Sequence, residues 1–225
     1  MGSLVTLSLP EQIARRLSEA IALGRYKPGE ALGEQAISDA FKDSRAPIRE
    51  AFRILERDGV VEIIPRRGAR VAILQYEDLM EASEVRASLF ELASGRFAAV
   101  HSNEALQEYA LCLDRLAKLV DCDNEGRPYA MAAGDATSLI IDNCGNKRLK
   151  TLLHQLDFQV SRYRALGAAT KELRVYSLLR WKRLLKAFKQ RDASAAKDLV
   201  REMNVYAQRA IARSFGRIAD VRRVG

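Results

Sequence analysis

The segment that covers residues 34–71 constrains the fold of this chain more than any other part of it. It reads EQAISDAFKDSRAPIREAFRILERDGVVEIIPRRGARV. Two helical patterns lie on either side of a polar break at Asp43–Ser44, and Gly59 ends the second pattern. Two runs rich in β-branched residues, 60–64 and 69–73, then flank a basic turn. This order predicts a winged helix-turn-helix.

Local signals place the boundaries of these helices. A capping pattern that starts at Ser8 begins a first helix, which Gly24 ends. The second helix is predicted over 34–41. Ser44 is suited to cap the third helix, which tolerates Pro47 because this residue falls in the first turn.

Four arginines recur every four residues along the third predicted helix: Arg45, Arg49, Arg53 and Arg57. Each step drifts by about 40° around the helix axis, so Arg45 and Arg57 differ by about 120°. One DNA groove therefore cannot take all four. We assign Arg45 and Arg49 to guanine edges in the major groove and Arg53 to a phosphate. Arg57 is expected in solvent or beside a carboxylate.

Two further features of the segment fit an anionic partner. The Ser44 hydroxyl can donate to a phosphate at the start of the third helix, where backbone N–H groups also point. Arg66 and Arg67 form the hairpin tip and could enter the minor groove, where Gly68 would allow the backbone to approach closely. The alternative is a basic helix face that is only solvated. The combination of turn, hairpin and basic tip favours DNA binding over this alternative.

Composition adds only weak constraints. The net charge is +8, but residues 1–74 hold 12 Lys+Arg against 10 Asp+Glu, so the excess is not concentrated in this segment. Three cysteines without a CxxC pair suit a reducing cytoplasm, and no secretory pattern or long apolar run is present. We therefore expect a cytoplasmic protein without a membrane span.

The rest of the chain is helical in pattern throughout. Breaks at 102–103, 123–126, 144–146, 167 and 191–192 separate six predicted helices: 77–101, 103–121, 127–142, 146–166, 171–190 and 192–214. An antiparallel bundle is the simplest arrangement of such helices. The expected fold is mostly α, with a DNA-binding domain over 1–74 and a helical effector-binding and dimerisation domain over 75–225.

The N-terminal residues resemble the GntR family of bacterial transcription regulators. The resemblance rests on Ile21, Gly24, Pro28–Gly29, Leu32, the SRxPIREA run from Ser44, the LExDG run from Leu55, and RGAxV from Arg67. It implies DNA binding. Two departures stand out, because the family usually has Gly-Val at Lys42–Asp43 and often has Arg at Gln35. Gln35 could still bond to DNA, but without charge.

The C-terminal half resembles the effector domain of the FadR-type branch, the FCD domain. The matching motifs are ExRxxLxE from Glu84, CGNKxL from Cys144 and AxxxRDxxxA from Ala187. The resemblance implies a homodimer on a palindromic operator that binds a small organic acid or acyl compound. It also places the four metal ligands of many members at Ala133, Thr137, Trp181 and Met203. These residues are not usual ligands, and two histidines cannot supply three, so no metal or other cofactor is expected.

The same alignment suggests where an effector would bind. Arg86 could hold a carboxylate, with Thr137, Trp181 and Met203 around an apolar cavity. Alternatively, Arg86 forms a structural ion pair with Glu84 or Glu91, and Trp181 and Met203 are core residues that fill the cavity. Asn146 is expected to be a helix cap, and His101 and His154 are expected to be structural.

The sequence lacks the GxSxG, Walker A, GxGxxG and HExxH motifs, so an enzyme is not expected. The leading hypothesis is an effector-responsive transcription factor. Two alternatives remain open: a helical interaction module whose winged helix does not read DNA, and a DNA-binding regulator whose bundle only dimerises.

Overall fold

The structure is a computed structural model. It describes residues 8–22, 24–73, 75–122, 126–161 and 163–224, with side chains for all of these except 22, 158 and 214–224. Residues 123–125 of the predicted break at 123–126 lie outside the described residues. The chain divides into two compact units, Met1–Gln75 and Tyr76–Gly225. Its mostly helical architecture, with a winged helix-turn-helix and an all-helical bundle, agrees with the predicted fold class.

The first unit contains the predicted helices and hairpin, together with one short strand that the sequence pattern did not show. Its elements are α1 (Leu9–Ala22), β1 (Ala31–Leu32), α2 (Glu34–Phe41), α3 (Arg45–Arg57), β2 (Val61–Ile64) and β3 (Gly68–Val71). The strands form an antiparallel sheet in the order β1-β3-β2. Leu32 pairs with Ala69, and Ile64 pairs with Gly68 across the hairpin.

One apolar core holds these elements together. Helix α3 turns one arc inward, and α1 and α2 pack against it. The buried residues include Ile13, Leu17 and Ile21 of α1, Ile37 of α2, Ile48, Phe52 and Leu55 of α3, and Leu32, Val61 and Val71 of the sheet. Burying one such side chain stabilises the fold by about 1.5–3 kcal/mol, and here it also fixes which arc of α3 stays exposed.

The second unit is built from helices. Its elements are α4 (Tyr76–Val100), α5 (Asn103–Lys118), α6 (Arg127–Asp142), α7 (Lys147–Ser161), a 3₁₀ helix (Arg164–Ala168), α8 (Lys171–Lys189) and α9 (Ala193–Val224). Helix α4 packs against α9 and α7, and α5 packs against α6 and α8. The predicted helix 146–166 is wrong in one respect, because α7 ends at Ser161 and a 3₁₀ helix follows. Helix α9 runs ten residues past its predicted end.

Side-chain caps begin four of the described helices of this unit, one of them α9, where Asp192 accepts a hydrogen bond from the backbone N–H of Ala195 at 2.9 Å. Ser102 accepts a hydrogen bond from the backbone N–H of Ala105, and Thr170 accepts one from that of Leu173. Asn146 accepts one from the N–H of Leu149, at 3.1 Å, which confirms its predicted role as a cap. Within the described residues, no helix is long and apolar enough to cross a membrane.

Candidate nucleic-acid interface and bundle cavity

The turn between α2 and α3 departs from its family pattern in sequence but is tight in structure. Lys42 stands where the family usually has glycine, and it adopts the left-handed conformation with φ 57°. The hydroxyl of Ser38 donates to the carbonyl oxygen of Asp43 and closes the turn. Ser44 occupies the N-cap position of α3, but its side chain makes no capping hydrogen bond. Its hydroxyl is exposed and therefore accessible to a phosphate oxygen.

Helix α3 presents its four arginines to solvent and its apolar residues to the core. Arg45, Arg49, Arg53 and Arg57 are all exposed, whereas Ile48, Ala51, Phe52 and Leu55 are buried. The sequence therefore predicted this division of the helix correctly.

The two arginines assigned to base edges are each held by a side chain of α2. The Arg45 guanidinium donates through Nε to Oε1 of Gln35 at 2.9 Å, and Gln35 donates to Asp39 at 2.6 Å. The Arg49 guanidinium pairs with Glu34 at 2.8 Å. Arg49 is 60% exposed, so solvent weakens this ion pair to about 0–1 kcal/mol. Both arginines are thus positioned at the helix N-terminus by contacts that a DNA ligand can replace.

The remaining arginines of α3 have carboxylate neighbours on their own helix or at its end. Arg53 pairs with Glu50 at 3.0 Å. Arg57 lies 3.7 Å from Asp58, in agreement with the expected carboxylate partner. Burial raises the pKa of the Asp58 carboxyl, and the neighbouring Arg57 charge opposes this. These contacts leave Arg53 better placed than Arg57 for a phosphate, since Arg53 is nearer the helix N-terminus.

The hairpin tip is a tight turn that exposes two arginines. The N–H of Arg67 donates to the carbonyl oxygen of Ile64 at 3.0 Å, with Pro65 second in the turn and Arg66 third. Arg66 has φ 65°, as the third residue of a type II turn requires. Arg66 and Arg67 are both exposed.

Gly68 has a structural role within the sheet. It is buried, with φ 92°, and a Cβ atom there would lie 2.4 Å from the carbonyl oxygen of Leu32. Its missing side chain therefore allows β3 to approach β1, and the expectation that it also lets the backbone approach DNA closely stays a prediction.

The second unit contains a half-open cavity of about 150 Å³. The four predicted effector residues, Arg86, Thr137, Trp181 and Met203, all line it, although they come from four different helices. Trp181 is also part of the hydrophobic core and is only 5% exposed, so it forms a wall of the cavity without filling it.

The residues at the family's metal positions do not provide a metal site. Ala133, Thr137, Trp181 and Met203 line this one cavity, but their donor set is a hydroxyl and a thioether. The Thr137 hydroxyl already donates to the carbonyl oxygen of Ala133 at 2.9 Å. Among the described residues, no group of three or more His, Cys, Asp or Glu could hold a metal ion. These side chains do not fit the hard divalent cation of the family pattern.

Arg86 pairs with neither of its predicted partners. Its guanidinium lies 2.7 Å from Oδ1 of Asp157 on α7, and Arg164 of the 3₁₀ helix contacts the same oxygen at 2.6 Å. The two guanidinium groups hold the pKa of the Asp157 carboxyl well below its usual range, against the opposing effect of burial. Sequence reasoning missed Asp157 and Arg164. The one signal that could have found them was an acid inside the apolar pattern of α7.

A buried hydroxyl adds a polar group to the cavity wall. Tyr129 is 1% exposed, and burial raises the pKa of its phenol to about 12. The hydroxyl of Ser177 lies close to it, but within the described residues the Tyr129 oxygen has no hydrogen bond of normal geometry. The hydroxyls of Tyr129 and Ser177 thus give the cavity wall a polar patch.

Comparisons with known proteins match both units. The model of the bacterial regulatory proteins, gntR family, matches residues 9–71, and that of the FCD domain matches residues 81–204. The Uncharacterized HTH-type transcriptional regulator YdhC of Bacillus subtilis (strain 168) is 29% identical over 190 residues, which cover 84% of each chain. The HTH-type transcriptional repressor RspR of Escherichia coli (strain K12) is 35% identical over 94 residues, 42% of this chain and 41% of that protein.

A solved structure agrees with this assignment at the level of the fold. The structure of E. coli McbR/YncC has a TM-score of 0.84 and 19% identity, over 93% of this chain and 100% of that chain. The matching family and the relatives are transcription regulators and not enzymes. The chain belongs to the GntR family of bacterial regulatory proteins, as a DNA-binding transcriptional regulator with a C-terminal FCD domain.

Proposed function

We propose that this regulator acts as a cytoplasmic homodimer on a palindromic operator and reads it with the N-terminal half of α3. Arg45 and Arg49 contact guanine edges in the major groove of each half-site. The observation that carries this proposal is that both arginines are exposed at the start of α3, beside the uncapped hydroxyl of Ser44. Recognition helices use their N-terminal residues in this way.

The free energies of these contacts favour the binding of both arginines to DNA over the contacts that hold them in the free protein. A bidentate arginine–guanine contact contributes roughly 1–3 kcal/mol of discrimination. The exposed pair between Arg49 and Glu34 is worth about 0–1 kcal/mol, and the bond between Arg45 and neutral Gln35 is similarly replaceable. Glu34 and Gln35 therefore orient the arginines and release them to the DNA.

The other contacts position the protein on the duplex. Ser44 and Arg53 bond to phosphates, Gln35 can bond to DNA once Arg45 turns to a base, and Arg66 and Arg67 at the exposed tip enter the minor groove. The phosphate contacts make the affinity fall steeply with salt. A winged helix that no longer reads DNA would show neither this slope nor a sequence preference.

The FCD domain then acts as the sensor. A small organic acid or acyl-type effector binds in the cavity lined by Arg86, Thr137, Trp181 and Met203, and shifts the population of bundle states that set the spacing of the two winged helices. The support is geometric, because all four side chains converge on one cavity that retains space for a ligand.

Selection from a random pool of duplex DNA tests this function and identifies the operator in the same experiment. We expect the purified full-length chain to enrich a palindrome with half-sites one helical turn, or a multiple of it, apart. Sedimentation of the protein on the selected duplex should give two chains per duplex. Absence of an enriched motif, or binding that does not weaken between 50 and 200 mM salt, would contradict the proposal.

A further inference from the structure

The cavity of the second unit has an unbalanced charge in its wall. Arg86 and Arg164 both bond to Oδ1 of Asp157, and their side chains are only 14% and 22% exposed, with that of Asp157 at 13%. Within the described residues, neither arginine pairs with another carboxylate. Two cations and one anion leave a net charge of one positive unit at a site largely shielded from water, and this net charge favours an anionic ligand.

The remaining wall is mostly apolar, with polar side chains at Thr137, Ser177 and Asn204. Phe90, Ala133, Trp181 and Met203 line the cavity, with the hydroxyl of Tyr129, close to that of Ser177, as a further polar group. The guanidinium of Arg164 reaches the cavity past α6 because Gly134 has no side chain, and a Cβ atom there would lie 2.5 Å from its Nη1 atom. The site thus offers a cationic end and a hydrocarbon-lined body.

The size of the cavity limits its ligand. A volume of about 150 Å³ is close to that of cavities that bind benzene in other proteins. The rings of Tyr176 and Tyr206 stack at 3.7 Å between centroids, and both line the cavity as well as an outer groove that contains Arg180. This pair belongs to the walls of both, so the groove lies directly beside the cavity.

We propose that the cavity selects a small monocarboxylate with a compact apolar body of about the size of a benzene ring. The carboxylate accepts hydrogen bonds from Arg164, Arg86 and Tyr129, while Asp157 keeps the two guanidinium groups together. One negative charge completes the balance, whereas a dicarboxylate would bury a second charge without a partner. This inference rests on the proposed function, in which the same cavity holds the effector, and it favours compact acids over long acyl chains.

Titration calorimetry on the full-length chain tests this ligand class. The probes are benzoate, its neutral isostere benzamide, the dianion terephthalate and the long-chain decanoate. We expect benzoate to bind at least tenfold more tightly than each of the other three. Equal binding of benzamide, tighter binding of decanoate or terephthalate, or no benzoate binding at 10 mM would overturn the proposal.

The Arg164→Met variant tests the charge balance directly, with Arg183→Met, an exposed arginine of α8, as the matched control. Arg164→Met should weaken benzoate binding at least tenfold and leave the melting temperature of the free protein unchanged or raised. The reason is that the Arg86–Asp157 pair left behind is neutral. A lowered melting temperature together with retained benzoate affinity would show that Arg164 is only structural and would overturn the proposal.

A second variant covers the case in which Arg164→Met does not fold. Gly134→Ala keeps every charge but places a Cβ atom against Arg164, so it should also weaken benzoate binding at least tenfold. Unchanged affinity in this variant would count against the assignment.

DNA binding in the presence of benzoate distinguishes this proposal from the proposed function. If benzoate binds the cavity and leaves the affinity for the selected duplex unchanged, the ligand assignment stands and the regulatory role fails. If benzoate does not bind and another compound shifts the DNA affinity, the regulatory role stands and the ligand class is wrong.

Discussion

Arg174 on α8 offers a sharp test of how the second unit is held together. It is 6% exposed, and its guanidinium donates to four carbonyl oxygens: those of Val120 at 2.6 Å, Ala168 at 2.8 Å, Cys122 at 3.1 Å and Ala169 at 3.4 Å. These bonds tie α8 to the end of the α5 segment and to the 3₁₀ helix. We therefore predict that Arg174→Met strongly destabilises the unit.

The magnitude follows from the two short bonds. Each buried carbonyl left without a donor costs about 1–3 kcal/mol, and the other two carbonyls can reach water at a smaller cost. Removing a desolvated charge returns part of this loss. The net expectation is about 3–5 kcal/mol, similar to breaking a buried ion pair. With an m-value of about 2 kcal/mol/M, the urea midpoint should fall by roughly 1.5–2.5 M.

Tryptophan fluorescence is a specific assay for this change. The chain contains one tryptophan, Trp181, and it lies in the core of the same unit. Lys171→Met is the matched control, because Lys171 begins α8 and forms an exposed pair with Asp121. The control should leave the midpoint almost unchanged. A fall of less than 0.5 M in the urea midpoint of Arg174→Met would refute the reasoning that these four hydrogen bonds stabilise the position of α8.

Three further substitutions test other parts of the structure. Lys42→Gly should stabilise the first unit by about 0.5–1 kcal/mol in calorimetry, because the left-handed conformation strains a residue with a Cβ atom, whereas Lys42→Ala should give no gain. Glu34→Gln should tighten binding to the selected duplex roughly two- to fivefold by anisotropy, because it removes the carboxylate that competes for Arg49. Asp157→Asn should make the free energy of unfolding depend less steeply on pH under acidic conditions. The lowered folded-state pKa of Asp157 means that its contribution is complete above about pH 4 and is lost as the pH falls towards that pKa.

Each of these has an outcome that would contradict it. A loss of stability in Lys42→Gly would show that the lysine side chain makes contacts worth more than the strain. Glu50→Gln on α3 is the control for Glu34→Gln. Weaker DNA binding by Glu34→Gln than by this control would show that Glu34 positions Arg49 and does not compete with DNA for it. An unchanged urea midpoint between pH 6 and pH 3 for the wild-type protein would contradict the paired state of Asp157.

The features set by local chemistry could be predicted from the sequence. The apolar period of α3 separated its buried arc from Arg45 and Arg49, and Gly59 and the β-rich runs gave the hairpin. Strand β1 was missed because two residues are too few for a pattern of alternation. The 3₁₀ helix after α7 was missed because helical periodicity continues through Tyr163 without a strong breaker.

Features that depend on distant partners could not be predicted. Arg86 and Asp157 are 71 positions apart, and no spacing rule joins them. The partner of Gly68 is the backbone of Leu32, which a sequence does not reveal. The cavity residues Arg86, Thr137, Trp181 and Met203 were found only through the family alignment, since no local pattern links them and Trp and Met are ordinary core residues.

The affinity of one double variant for the selected duplex tests the central claim most directly. Arg45→Ala plus Arg49→Ala should weaken binding roughly 800-fold or more at fixed salt, since two contacts worth about 1 kcal/mol or more are lost in each half-site, about 4 kcal/mol over the two. Arg15→Ala plus Arg57→Ala removes the same charge from exposed arginines paired near their own helices, and it should weaken binding only a few-fold. Equal losses in the two double variants would contradict base reading by the N-terminal half of α3.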